Sequence, residues 1–441
     1  MLTAGICKIC ISPPPGVPLA GFAARQSVAS GIHDDLFARA LVLENRGEVA
    51  ALVSVDVLAL PGEFVNRVRR AIAERTGIGP ETVMIACTHT HAGPVTISTF
   101  FNPEETVDAN YMDELADAIT ESVAVAWRER FPARVGVGSG QVVGVGANRR
   151  SADLKPIDEE IGIIKIEDAD RRLRAVCINY ACHPTVLGPD NLLVTGDFPA
   201  FAIEHIEKAI GADGKENAFA MFVNGTQGNI SMGHSSELSA IGVITPGRTF
   251  ERAAELGYLL GDATLGVLPK IETDADPKLY ALKHPVELPL KDLPSVEEAA
   301  LALKSADAHL ERLNCHDEVS QKVNRAKSER LYASIAHFYA REARNSPDGY
   351  VTIELQGVRI NEAVFVAVPA EVFVEIGLQI KQRATHHTFI VGIANGYIGY
   401  LTTAAAHDIG GYEVVSSRVA PEAEARLIEG ILELERKIFD E

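Results

Sequence analysis

Five short apolar runs, each breaking off into glycine and polar residues, constrain this chain more than any other feature of its sequence. Val83–Cys87 gives way to Thr88-His89-Thr90-His91. The run 174–180 ends in Asn179-Tyr180-Ala181-Cys182-His183-Pro184-Thr185, and 218–223 in Asn224-Gly225-Thr226-Gln227-Gly228-Asn229-Ile230-Ser231. The run closing at Val368 leads into Pro369-Ala370-Glu371, and 389–394 into Asn395-Gly396-Tyr397-Ile398-Gly399-Tyr400. Runs of this length between breakers read as buried strands. In sheet-based folds, binding and reactive groups collect just past the carboxyl ends of strands. Here those ends hold an assortment of His, Ser, Glu and Tyr.

Helical patterns alternate with the runs. Pro61 to Gly77 is amphipathic, with Phe64, Val65, Val68 and Ile72 on one side. Val107–Phe131 has acidic residues at its start and arginines at its end, which suits the helix dipole. Further helices are expected from Pro199 to Ile210, Phe250 to Leu268, Ala370 to Arg383 and Pro421 to Phe439. Residues 1–60 read as strands, with a hairpin at Asn45-Arg46-Gly47. Residues 134–168 read as strands around Ala147-Asn148-Arg149-Arg150. The highly charged segment 295–344 predicts a helical hairpin, broken near Asn314-Cys315-His316-Asp317 and standing apart from the sheet. The expected class is a mixed α/β (α+β) fold: a layered β-sheet core with flanking helices, one domain over 1–441, and 295–344 inserted into it. A chain of 441 residues buries enough surface to need no staples.

A net charge of −19 argues against nucleic acid and anionic membrane surfaces as partners. No run reaches transmembrane length, and the N-terminus lacks the apolar core of a secretory leader. The six cysteines are scattered, so a reducing, cytoplasmic setting is expected. Cys7-Lys8-Ile9-Cys10 has CxxC spacing without a second pair, and reads better as part of a strand than as a redox or zinc site.

In extended geometry His89 and His91, two residues apart, would point to the same side of the chain. Paired imidazoles at a strand end suit a transition metal; the competing reading makes both of them hydrogen-bonded loop residues. His183, beside a proline, is open to the same two readings. Glu371 is expected at the head of a helix, where the dipole favours a carboxylate in any case.

Taken in order, the motifs resemble the catalytic domain of the neutral, alkaline, non-lysosomal ceramidases. That family's THTH-x-GP is Thr88–Pro94 here, and its NYA-x-HPT is Asn179–Thr185. Its Asn-Arg element is Asn148-Arg149, and its PGE element is Pro369-Ala370-Glu371. Its closing tyrosine motifs are Gly399-Tyr400-Leu401-Thr402-Thr403 and Gly411-Tyr412-Glu413. The family's GDVSPN serine loop is altered to Gly228-Asn229-Ile230-Ser231-Met232-Gly233, with Asn in place of Asp and Met in place of Pro. The resemblance covers nearly the whole chain and leaves no residues for the family's C-terminal immunoglobulin-like domain.

What the resemblance implies is a Zn2+ hydrolase of an amide bond, with N-acylsphingosine-type substrates as the default. His89, His183, Glu371 and Tyr400 would hold the metal. His91, Arg149 and Tyr412 would surround the scissile carbonyl, and Ser231 would occupy the position of the family's essential serine. Asp197 could orient a ligand histidine from behind, and His234, three residues after Ser231, is a further candidate. The nucleophile is either water activated by the metal or Ser231. Two other functions stay open: a zinc hydrolase of a smaller soluble amide, ester or lactone, and a non-catalytic ligand-binding homologue. A small-molecule or lipid amide is the expected partner, and the 295–344 hairpin could serve a homo-oligomer contact or cover a pocket.

Overall fold

The computed structural model describes residues 1–100, 106–211, 218–314, 320–342 and 348–440. Strands β1 (Thr3–Cys10), β2 (Phe37–Asn45), β3 (Glu48–Val55) and β4 (Val83–Cys87) share one sheet with β5 (Phe131–Gln141), β6 (Glu160–Asp168), β7 (Leu173–Tyr180) and β8 (Phe219–Asn224), in the order β8-β7-β6-β5-β1-β2-β3-β4. A second sheet runs β9 (Leu279–Pro289), β10 (Tyr350–Ile360), β11 (Ala363–Val368) and β12 (His387–Gly392), each beside the next. Strand pairs are antiparallel except β3–β4, β7–β8 and β11–β12. All five expected site-bearing strands lie in these parallel pairs, buried on both faces, which explains their continuous apolar runs.

Side-chain alternation sorts each strand between two layers. Leu41, Leu43, Leu52 and Met84 share one apolar layer with Ile164, Cys177, Met221, Phe365 and Phe389, so both sheets contribute to a common interior. The intervening residues face helices. Ala40, Val42, Val53 and Ile85 pack on α1 (Gly62–Thr76) and α2 (Ala109–Arg128). Ile163, Val176, Ile178 and Phe222 pack on α3 (Asp197–Gly211) and α4 (Phe250–Val267). The outer face of the second sheet packs on α7 (Val374–Arg383) and α8 (Ala423–Asp440), which follow α5 (Val296–Asn314) and α6 (Ser320–Glu342). Among the described residues no helix is long and apolar enough to cross a membrane.

The two sheets are also joined by backbone. Asn395 N donates to Ile85 O (2.8 Å), Cys87 N to Ile393 O (3.0 Å), and Ile85 N to the Asn395 side chain (2.9 Å). This seam sets the end of β4 beside the end of β12.

Several local expectations need correction. Strand β9 carried no clear alternation and was not expected. Helix α2 ends at Arg128, and Phe131 already belongs to β5. Helix α3 starts at Asp197, two residues before Pro199. Glu371 does not head a helix: Glu371–Val372 pairs in parallel with Tyr400–Leu401, and α7 begins only at Val374. The helical hairpin is present as α5 and α6, and its expected break at 315–317 lies outside the described residues. It packs on loops and short helices and not on the strands: Leu331, Ile335 and Tyr339 of α6 are buried in a cluster that includes Ile241 and Tyr412. Cys7 and Cys10 lie in β1, where an offset of three sends them to opposite faces; one is partly packed and the other exposed.

Candidate metal centre

Strand β4 ends at Cys87, and the extended geometry does not continue into the histidines: His89 has φ +69°. Histidine is among the residues that tolerate the left-handed region. The turn is held by Thr88 N and His89 N, which donate to Val55 O and Val57 O. His89 and His91 therefore do not project side by side from a strand. They meet edge to face, with ring centroids 4.9 Å apart, and His183 stands 5.0 Å from His89 and 5.9 Å from His91. One ring nitrogen from each of the three lies within 4.8 Å of the other two.

The outer nitrogens fix the rings. His89 Nδ1 donates to Leu58 O (2.7 Å), and His183 Nδ1 faces Gln227 O (2.7 Å) and Ile230 O (3.0 Å). Both Nε2 atoms thus turn inward with a free lone pair. Glu371 Oε2 approaches them at 2.9 Å from His183 and 3.5 Å from His89, and its other oxygen accepts from the Tyr397 hydroxyl at 2.5 Å. His91 has neither ring nitrogen hydrogen-bonded, though both are buried. Such orphaned nitrogens are costly without a partner, and a bound cation or substrate supplies one.

Electrostatics suit a cation. Burial, reinforced by His89 and His183, lowers His91 well below the ordinary histidine range. Burial and Arg149 lower His183 to about 4, against the pull of Glu371. Burial alone would raise Glu371, but His89 and His183 hold it well below the usual carboxylate range. Burial and the Glu371 charge raise Tyr400 well above 10, so it is a phenol. Imidazole nitrogens around a carboxylate are the nitrogen and oxygen donor set of zinc and similar metals. The residues present therefore fit a transition cation.

Arg149 stands over this cluster. Its Nη2 donates to the Tyr400 hydroxyl (3.1 Å) and to Gly228 O (2.9 Å), and its Nε to Glu413 (2.9 Å). Burial acts to lower the guanidinium, but Tyr400 and Glu413 outweigh it and raise it overall. Glu413 also binds Arg150 (2.7 Å) and Ser236 (2.6 Å). The Tyr412 ring lies 6.2 Å from that of Tyr400.

Seven expected residues thus come together: His89, His91, Arg149, His183, Glu371, Tyr400 and Tyr412. Ser231 is nearby in the chain but differently engaged. It is buried, pairs with Ala147, and its hydroxyl faces the carbonyl of His234 at 3.3 Å. Among the described residues no imidazole bonds to it. Asp197 does not orient a ring: it accepts from Val186 N, Leu187 N and Phe198 N, shaping the loop after His183. His234 lies near His91 and Arg149 beside a small polar hollow, its ring bonded to Thr245. Asn229 is structural, accepting from Val374 N and donating to Glu375 at the start of α7.

Sequence reasoning missed Tyr397, Glu413 and Arg25. Arg25 donates to His91 O at 2.8 Å. Glu413 follows Tyr412 inside a motif already noted, and Tyr397 lies between two of its glycines. Neither neighbour reveals which polar atom is touched. The centre opens into a cavity of about 650 Å3, lined by His89, His91, Glu371, Tyr397, Tyr400 and Tyr412 at one end, and reaching Phe338 and Tyr339 of α6 and Arg418.

Fold and site together define a mixed α/β protein with a histidine-rich cluster that could hold a cation, where the ends of parallel strand pairs converge. The family described as "Neutral/alkaline non-lysosomal ceramidase, N-terminal" matches residues 4–237, and the chain belongs to it. The neutral ceramidase of Mycobacterium tuberculosis is 27% identical over 262 residues, 54% of this chain and 41% of that protein. The neutral ceramidase of Pseudomonas aeruginosa is 26% identical over 237 residues, 49% of this chain and 34% of that one. The match thus spans less than half the length of either relative. The crystal structure of the Pseudomonas aeruginosa neutral ceramidase superposes with a TM-score of 0.76 at 20% identity, covering 99% of this chain and 75% of that one. A ceramidase complexed with C2 gives 0.75 at 18%, covering 99% and 76%. Both show the shared fold.

Proposed function

We propose that the chain is a zinc-dependent amidohydrolase, with His89, His183, Glu371 and Tyr400 as metal ligands and an N-acylsphingosine-type amide as the substrate class suggested by its relatives. The observation that carries this reading is the convergence of two inward Nε2 lone pairs and an ionised carboxylate beside an unpartnered His91. When bound, zinc supplies Lewis acidity that polarises an amide carbonyl.

The remaining work falls to the protein. Arg149, fixed by Glu413, and the Tyr412 phenol are donors suited to the oxyanion that develops on the carbonyl. His91, neutral and free at both ring nitrogens, accepts a proton from the attacking water and returns it to the leaving nitrogen. In this reading water is the nucleophile. The Ser231 hydroxyl donates to the His234 carbonyl, and among the described residues no side-chain base is hydrogen-bonded to it.

Elemental analysis of the purified protein tests the metal. About one zinc per chain is expected, with loss in His89→Ala and Glu371→Ala. Release of amine from a short-chain amide tests the chemistry. Ser231→Ala should keep kcat within about tenfold of wild type, whereas Arg149→Met should lose about 100-fold or more, as for an oxyanion donor. Metal-free protein that takes up no zinc would overturn the reading. A Ser231→Ala variant as inactive as Arg149→Met would make the serine the nucleophile.

A further inference from the structure

We infer that this site takes an amide that also carries a carboxylate, and that Arg418 is the residue that selects it. The inference rests on the amidohydrolase reading above and departs from the N-acylsphingosine class of its relatives, which carries no carboxylate.

The cavity that begins at His89, His91 and Glu371 is continuous with Arg418. The arginine is placed by the fold. Leu290 bridges Val419, Lys291 N donates to Arg418 O (3.1 Å), and the Ser417 hydroxyl donates to Tyr400 O (2.8 Å). The backbone that carries Arg418 is therefore anchored one residue away on a proposed metal ligand. Helix α6 closes the other side, with the Tyr339 hydroxyl donating to Ser416 O at 2.6 Å.

Arg418 is half-buried. Its Nε is buried with no hydrogen-bond partner, and among the described residues no ion pair takes up its guanidinium. Of the other arginines of the site, Arg149 and Arg150 share Glu413, and Arg25, whose Nε is likewise unpartnered, donates to Ala20 O and His91 O and does not line this cavity. A planar, permanently charged fork lining a cavity is matched by a carboxylate, which it binds through two parallel hydrogen bonds. Two carboxylates also line the cavity, Glu63 and Glu342. Both are exposed, where water screens them, and neither lies within ion-pair distance of Arg418, although the Glu342 charge acts on its guanidinium. A substrate with only hydrocarbon beyond its amide would leave the guanidinium desolvated and unpaired, which is costly.

Hydrolysis of such a compound adds water across the C–N bond: oxygen bonds to the carbonyl carbon, nitrogen leaves with the proton, and an acid and an amine result. The carboxylate can belong to the amine half, as in an N-acyl amino acid, or to the acyl half, as in the monoamide of a diacid. Both present the same group to Arg418.

The test compares N-hexanoylglycine with N-hexanoylethanolamine, and adipic acid mono-butylamide with 6-hydroxyhexanoic acid butylamide, on the zinc-loaded wild type and on Arg418→Leu and Arg418→Lys. The carboxylate of at least one pair should have a kcat/KM about 10–100-fold above its neutral partner. Arg418→Leu should abolish that ratio, mainly through KM, while hydrolysis of the neutral amide persists, and Arg418→Lys should recover part of it. The pair that responds identifies which half bears the charge. Binding of hexanoate or glutarate, followed by calorimetry, is read alongside. Cleavage of both members of each pair without preference would overturn the inference and leave the amidohydrolase reading standing. No cleavage of any amide, with carboxylate binding that Arg418→Leu removes, would overturn the hydrolase reading and keep the anion site.

Discussion

Glu371 shows how much of the centre depends on groups that bind no metal themselves. One oxygen faces the two histidines, and the other is held by Tyr397 at 2.5 Å. The tyrosine hydroxyl fixes the carboxylate in the rotamer that aims Oε2 inward. Tyr397→Phe removes that donor without changing shape and leaves a buried carboxylate oxygen unpaired. Metal affinity is expected to fall about 10–100-fold, the usual effect of losing such a supporting bond. Competition with a chromophoric chelator measures this, and an unchanged affinity would show that the bond does no positioning. The same residue marks the limit of the sequence. His89, His183, Glu371 and Tyr400 sit in recognisable motifs. Tyr397, Glu413 and Arg418 do not announce themselves, because their roles depend on which distant atom each side chain reaches.

Among elements, the strand runs were legible because parallel pairs are buried on both faces and leave uninterrupted apolar sequence. The edge strand β9 was not, since most of its residues are only partly covered and its pattern is mixed. The passage from β4 to His89 was also hidden, because its left-handed turn is imposed by carbonyls of the neighbouring strand end. Contacts between elements are where pH should register. Glu160, at the start of β6, binds Lys381 of α7 (2.7 Å) and His387 of β12 (2.9 Å), and Lys381 also binds Asp158 (2.6 Å). Burial acts to raise Glu160, but the His387 hydrogen bond and the Lys381 charge overcome it and hold it at about 2. A carboxyl lowered on folding from its ordinary 4.5 stabilises the fold fully above that value, and the benefit is lost as pH falls towards 2. Lys381→Met should lower stability by about 1–2 kcal/mol at pH 7, allowing for partial exposure. The difference from wild type should shrink as pH falls below about 4. Denaturation midpoints at pH 7, 4.5 and 3 measure it, and a difference independent of pH would assign the effect instead to the Lys381 side chain lying over the Phe389 ring, 5.8 Å from its centroid.

At the scale of the whole molecule, the centre is a junction. His89 and His91 follow β4 and His183 follows β7, both in the eight-stranded sheet. Glu371 follows β11 and Tyr400 follows β12, both in the four-stranded one. A cation held by these groups joins two sheets that are also linked by the shared apolar layer, by the seam between β4 and the end of β12, and by the Asn179 amide of β7 donating to Ile390 O of β12 (3.0 Å). That layer is large, and the seam's hydrogen bonds need no metal, so the fold should survive removal of the cation. What removal costs is the binding free energy, about 4 kcal/mol when free metal exceeds the dissociation constant a thousandfold. For a chain of this size that corresponds to a fall in Tm of about 4–8 °C. Chelation followed by zinc addition should lower and restore the transition, and His183→Ala should start at the lower value and respond to neither. Were the stripped protein to lose its near-ultraviolet circular dichroism altogether, the cation would be a structural staple. A Tm that stays constant while metal content falls to zero would mean that no ion is held by the native fold tightly enough to stabilise it, and would count against a metal at this junction.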